Sequence, residues 1–354
     1  MLKERNSMRD LGFKKEITTG YYLDPFNGFQ EKKITIESRY DEITGVASRI
    51  LPYRMRIAQK PDMNEYLEKS PESLCPFCSD LFDKTTPRFI PSVMEDGNFK
   101  RGEACLFPNV FPYDQNNNVA IFSSRHFVAM NELTPEFMRD GFLVCRDYFH
   151  RVVELNLGYK YCSINWNYMP PAGGGLIHPH LQTIAGYRPT SFMQKLLSSA
   201  QNYAANSNGE NLWSNLIALE KKADKRFIAD TGVVCWLTSF APKGMAGEID
   251  FIFREKTSFF DLTESNFSEF LAGLSRVFSY LYTNNFISFN LSLYATMNNN
   301  NYFCVQGKIV PRFVIYPLGT SDLNYFEKLH NEIICPTVPE ELCRELQPYF
   351  KSLL

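Results

Sequence analysis

The chain has 354 residues, 44% of them hydrophobic and 15% aromatic, with a formal net charge of -2. That balance belongs to a globular protein long enough to bury a sizeable core. Without a basic excess it does not fit a binder of nucleic-acid backbones, and no apolar run approaches the roughly 20 residues that cross a bilayer as a helix.

The opening MLKERNSMRDLGFKKE is too charged to form a signal-peptide core, so a cytoplasmic location is expected. Nine cysteines, an odd number, then read as free thiols rather than a disulfide framework.

Residues 1–36 show no steady periodicity and read as an irregular N-terminal arm. ESRYDEITGVASRILPYR, residues 37–54, reads as a short hairpin turning at Asp41 to Gly45. ACLFPNVFPY and NVAIFSSRHFVAM follow a polar loop, the second apolar enough for a buried strand.

Thr134-Pro135-Glu136 supplies an N-cap, a proline at the first helical position and an acid in the first turn, so a helix starts there. Met138, Phe142, Cys145, Phe149, Val152 and Val153 recur at helical spacing as its buried stripe. YKYCSINWNYM and HPHLQTIAGY then read as strands around a glycine loop, and residues 187–226 as polar helices around the loop NSNGEN.

The order then recurs. RFIADTGVVCWLTSF and EIDFIFRE read as strands, a helix opens on Thr263, and ISFNLSLYAT and KIVPRFVIYPL read as strands around the loop MNNNN. The fold class is α+β with a degenerate two-fold repeat, each half an antiparallel sheet with packed helices. The expected division is an arm at 1–36, a catalytic half at 37–190, a helical connector at 191–226 and a degenerate half at 227–354.

Three constellations carry chemistry. The pair Cys75 and Cys78 in CPFC lets two thiolates reach one tetrahedral ion, and His126 and His178 at strand ends complete a Cys2His2 set. GGGLIHPHLQ places His178, His180 and Gln182 on one strand face.

The two histidines there could both bind metal, act as an acid/base pair, or divide structural and nucleophilic roles. Gly173, Gly174 and Gly175 favour the divided roles, because a glycine loop can turn backbone N–H groups toward phosphate. The third constellation is Arg54 with Arg56, Arg39 and Arg49. Guanidinium forks suit a diphosphate, but Arg49 and Arg56 are better read as surface positions.

Together these motifs resemble the galactose-1-phosphate uridylyltransferase family of the histidine-triad superfamily, closely over residues 37–190 and loosely beyond. RYDEITG and PYR match its stretch ahead of the CPFC pair, with Glu42 where the motif has proline. FPNVFP matches its nucleotide-holding segment through Asn109, FSSRH its third metal ligand through His126, and HPHLQ its HPHxQ motif; Asn167 lies at the expected eleven positions before His178.

The resemblance implies two histidine-triad-like halves and a structural Zn2+ on Cys75, Cys78, His126 and His178. It implies a ping-pong transfer in which His180 carries a nucleotidyl group, uridylyl by analogy, between a nucleoside diphosphate sugar and a sugar 1-phosphate, as in galactose metabolism. Gln182 would act with His180 in catalysis by donating to a non-bridging oxygen of the reacting phosphate, Arg54, Asn109, Asn167 and the three glycines would hold the substrate, and a homodimer is compatible with the likeness.

Two departures stand out. Gly175 occupies the position of a phosphate-touching serine, and Arg312 and Val314 replace a second H-x-H, so a second metal site and the hexose pocket are not implied. HLQ is also similar to the dinucleoside tetraphosphate phosphorylases of the superfamily, which keeps a phosphorylase as the alternative.

Overall fold

The computed structural model describes residues 11–54 and 62–351. Its N-terminal segment differs from the sequence reading of an irregular arm. β1 (Lys15–Asp24) and β2 (Gln30–Tyr40) form a ten-pair antiparallel hairpin. Asp24 accepts from the Phe26 N–H, and Gly28, at φ 56°, closes the turn in the left-handed region that glycine adopts without penalty. Most β1 side chains are exposed on both faces, so no core imposes the apolar alternation that marks a half-buried strand.

The turn at Asp41 to Gly45 forms as expected. Asp41 Oδ1 accepts from the Ile43 and Thr44 N–H groups, leading into β3 (Ala47–Ile50). Short helices α1 (Met63–Lys69) and α2 (Ser79–Thr85) flank the CPFC turn.

Next come β4 (Phe99–Arg101), β5 (Ala104–Pro108), β6 (Asn116–Ile121), α3 (Pro135–Glu154), β7 (Tyr161–Tyr168) and β8 (His180–Gly186). Helices α4 (Ser191–Asn206) and α5 (Leu212–Ala223) make the connector. The second half runs β9 (Phe227–Thr231), β10 (Val234–Thr238), β11 (Ile249–Phe253), α6 (Glu264–Thr283), β12 (Ser288–Thr296) and β13 (Gln306–Arg312). Last are β14 (Val314–Ile315), β15 (Thr320–Ser321), α7 (Tyr325–His330), β16 (Ile333–Cys335) and α8 (Pro339–Phe350).

The repeat is explicit in the topology. One ten-stranded sheet runs β4-β5-β6-β8-β7-β12-β13-β11-β10-β9. Read outward from the central β7–β12 pair, both halves have the same order, with α3 and α6 at equivalent crossovers. Thr134 and Thr263 cap these helices on Phe137 N–H and Asn266 N–H, as their N-cap chemistry predicts. Both helices pack on one sheet face over Trp166, Leu181, Leu291 and Leu293. Of the expected α3 stripe, Val153 alone departs, being half-exposed.

The opposite face distinguishes the halves. Over β10 and β11, Met193, Leu196, Trp213 and Leu216 of α4 and α5 cover Cys235, Leu237 and Ile252. Over β5 and β6, among the described residues, only Phe77 and Phe82 pack on Cys105, Phe107, Val119 and Ile121. The connector thus closes the second half and leaves the first open. All nine cysteines are free.

N- and C-terminal segments are joined by buried ions. Arg39 makes a two-bond fork to Glu340 at 2.8 and 3.0 Å, and Arg226 binds Glu340 and Glu220. Arg39 and Arg49, which lie near the phosphate-binding candidates in sequence, therefore tie elements together, Arg49 through Glu332.

Candidate active site

The CPFC turn enters α2 with Cys78 at the N-cap, which directs both thiols inward. His126 follows β6, and His178 lies two residues before β8. The four ligand atoms lie within 4.8 Å of one another, with Cys78 Sγ 3.3 Å from His126 Nδ1 and 3.6 Å from His178 Nδ1. Each imidazole donates its other nitrogen's proton to a carbonyl, His126 to Ser70 at 2.6 Å and His178 to Ser123 at 2.9 Å. Those bonds fix the tautomers that present an unprotonated Nδ1 inward, as metal-binding histidines are held.

Burial pushes the His178 imidazole down to about 4, and burial beside Cys75 pushes the Cys78 thiol up to about 12. The neutral imidazole is already the ligating form, and a divalent cation opposes the penalty on the thiolates. The chemistry of the donor set fits a tetrahedral ion.

His180 opens β8 opposite Ile121. Its Nδ1–H donates to the His178 carbonyl at 2.8 Å, so the ring is held as the Nε2-unprotonated tautomer. Burial lowers its pKa, opposed by that carbonyl, which keeps the imidazole neutral and nucleophilic. Phe77, inside CPFC, packs edge-on against both rings, with centroids 5.9 Å from His178 and 5.4 Å from His180. The Cys2His2 cluster and His180 thus share one aromatic wall.

A cleft of about 410 Å3 opens beside His180, lined also by Gln182, Gly175, Leu176, Asn109 and Phe107. At its mouth stand Phe111 and Tyr113, exposed by 81% and 74%. Exposed aromatic faces over an apolar cleft suit a planar base. Asn109 is held by Asn117 and accepts from the Phe111 N–H at 3.0 Å.

Other expected positions are distributed differently. The Gly173 and Gly174 N–H groups are committed to the Pro170 and Met169 carbonyls, which leaves Gly175 as the glycine lining the cleft. Asn167 accepts from Asn290 Nδ2 at 2.7 Å, and the same amide donates to the Ala172 carbonyl. It therefore braces the glycine loop against the second half rather than lining the cleft.

Arg54 is exposed on a 3-10 turn and does not line the cleft; Arg56 lies outside the described residues. The sequence reading missed Phe77, Phe111 and Tyr113. Their signal was aromatic residues within and beside motifs already singled out.

An antiparallel α+β sheet doubled about its centre, with a Cys2His2 cluster beside an HPHxQ strand, has the fold of the GalT-like proteins and uridylyltransferases. A GalT-like protein of Arabidopsis thaliana is 16% identical, with a TM-score of 0.65 over 88% of this chain and 98% of that one. An ADP-glucose phosphorylase of the same plant, with bound ADP-glucose, gives the same values. A uridylyltransferase is 17% identical, with a TM-score of 0.62 over 90% and 99%.

The chain belongs to the family of an uncharacterized protein of Archaeoglobus fulgidus, to which it is 30% identical over 344 residues, 96% of this chain and 99% of that protein. No family model matches it. No helix among the described residues is long and apolar enough to cross a membrane.

Proposed function

We propose that the protein is a nucleotidyltransferase that moves a nucleoside monophosphate, uridylyl by analogy, between hexose 1-phosphates through a covalent adduct on His180. The observation that carries this reading is the His180 ring: Nδ1 is tied to its own strand, and the ring lines the cleft with Gln182.

In the first half-reaction the Nε2 lone pair attacks the α-phosphorus of a nucleoside diphosphate sugar. A P–N bond forms, the bond from that phosphorus to the bridging oxygen breaks, and the sugar 1-phosphate leaves with the electron pair. The acceptor's phosphate oxygen reverses the sequence, returning the pair to Nε2. Nδ1–H stays on the His178 carbonyl throughout and shares the positive charge of the intermediate.

Gln182 and the Gly175 N–H, which is unpaired among the described residues, supply donors to the non-bridging oxygens. Asn109 orders the aromatic mouth. Cys75, Cys78, His126 and His178 would hold Zn2+, which anchors the strand carrying His180 as structural zinc does.

Phosphorolysis is the second reading. A side chain at Gly175 would meet nothing within 4 Å, which leaves room for inorganic phosphate as the acceptor. Intact mass spectrometry after incubation with nucleoside diphosphate sugars tests the common step. A nucleotidyl mass increment, absent in His180→Ala, is expected; no increment with any donor refutes it. Release of a nucleoside diphosphate on adding phosphate, against a new sugar nucleotide on adding hexose 1-phosphate, separates the two readings.

A further inference from the structure

We propose that Arg312, in the degenerate half, is a positioning residue for the cleft of the first half: through Asn290 it clamps the strained loop that carries Gly175. The inference rests on the nucleotidyl-transfer reading and gives that reading a determinant on β13, outside the cleft.

The loop between β7 and β8 opens on a backbone conformation its residue does not favour. Met169, buried and not a glycine, stands at φ 69° and ψ 159°, a region essentially confined to glycine. Such a conformation persists only where the surroundings over-determine it.

Part of the restraint is local, because the Ala172 and Gly174 N–H groups both donate to the Met169 carbonyl. The rest comes from β12. Ser288 Oγ donates to the Tyr168 carbonyl at 2.8 Å, just before Met169, and Asn290 Nδ2 donates to the Ala172 carbonyl at 2.8 Å, just after it. The degenerate half therefore holds the loop on both sides of the strained residue.

Asn290 can do this in only one orientation of its amide. Its Nδ2 must face two acceptors, the Ala172 carbonyl and Asn167 Oδ1, which turns Oδ1 the other way. There Arg312 Nη1 donates to it at 2.7 Å. A guanidinium carries donors alone and cannot satisfy a flipped amide, so Arg312 selects the orientation that clamps the loop.

Arg312 is itself fixed by a fork from Nε and Nη2 to the Asp322 carboxylate at 2.8 and 2.7 Å. The two side chains are 12% and 4% exposed, and a bidentate pair so shielded from water holds the guanidinium in one place. The chain from Asp322 through Arg312 and Asn290 ends at Ala172, close in sequence to Gly175, which lines the cleft with His180. Neither Arg312 nor Asn290 lines that cleft, so both act on where the loop stands.

Formation of the His180 adduct in a single turnover, over a range of UDP-glucose and ADP-glucose concentrations, tests this. Arg312→Gln should slow it at saturating donor by about 100-fold, the effect of a displacement of about 1 Å, with the half-saturating concentration changed less than about threefold. Asn290→Asp keeps an acceptor for Arg312 and leaves the Arg312–Asp322 pair intact for folding, but has no donor for Ala172. It should slow the step equally, and the double variant should be no slower than either single one. Arg101→Gln is the control, since Arg101 binds Asp147 and Glu264 from the edge strand β4; it should lower Tm and leave the adduct rate unchanged.

Amide hydrogen exchange without substrate reads the clamp directly. The Gly173 and Gly174 N–H groups should exchange at least about tenfold faster in Arg312→Gln and Asn290→Asp, but not in Arg101→Gln. Wild-type adduct rates in both loop variants overturn the proposal, as does an equal loss of rate in Arg101→Gln or unchanged exchange at both glycines. Absence of any adduct in the wild type, with exchange accelerated in the two loop variants, refutes the transfer chemistry and leaves the clamp standing.

Discussion

Replacing Gly174 and Gly175 in turn by alanine separates scaffold from cleft within one loop. A Cβ on Gly174 would lie 2.8 Å from the Asn167 carbonyl oxygen and 3.0 Å from the Met169 carbonyl oxygen. Both are backbone atoms, Asn167 within a central strand, so the loop must move. It is also pinned at Ala172 by Asn290 and at Gly174 N–H by the Met169 carbonyl.

Overpacking of this kind costs about 1 to 3 kcal/mol. Spread over the unfolding entropy of 354 residues, that corresponds to a fall in Tm of about 1.5 to 4 °C. A displacement of about 1 Å in the loop beside His180 is expected to slow transfer by about 100-fold. At Gly175 a Cβ meets nothing within 4 Å, and its φ is not in the left-handed region, so Gly175→Ala should hold Tm within about 0.5 °C. Differential scanning calorimetry and the rate of His180 adduct formation measure both. Equal Tm and equal rates in the two variants would refute the assignment of Gly174 to scaffold.

Glu42 carries a pH signature. Its Oε2 is buried without a partner, and burial beside Asp41 raises its pKa from 4.5 to about 8. The folded state therefore prefers the protonated acid; this stabilisation is full below pH 4.5 and is lost as pH rises through about 8. Glu42→Gln, neutral throughout, should match the wild type near pH 4 and exceed it in Tm at pH 8; parallel Tm profiles from pH 4 to 8 would contradict the assignment.

Cys78→Ala should abolish stoichiometric zinc, read by atomic emission, and lower Tm. Cobalt in place of zinc should give a tetrahedral absorption spectrum with adduct formation unchanged, whereas an altered adduct rate at unchanged Tm would assign the ion to the chemistry.

Local chemistry was legible without coordinates. The caps at Thr134 and Thr263, the Asp41 turn, the doubled strand and helix order, the CPFC quartet and the shared face of His178, His180 and Gln182 all follow from interactions between residues near in sequence or from fixed ligand geometry. Strand periodicity failed for the β1–β2 hairpin, because a ribbon with both faces in solvent has no core to impose alternation.

Other properties depended on partners distant in sequence. Arg39 is drawn to Glu340, 301 positions away, and Asn167 to Asn290, 123 away, so residue type alone could not tell a phosphate ligand from a brace. The sequence determined which thiols and imidazoles the proposed metal site and the proposed attack on phosphorus would use. Tertiary structure decided which sheet face stays open, because whether α4 and α5 cover one half or the other is set by long-range apolar packing that no local motif records.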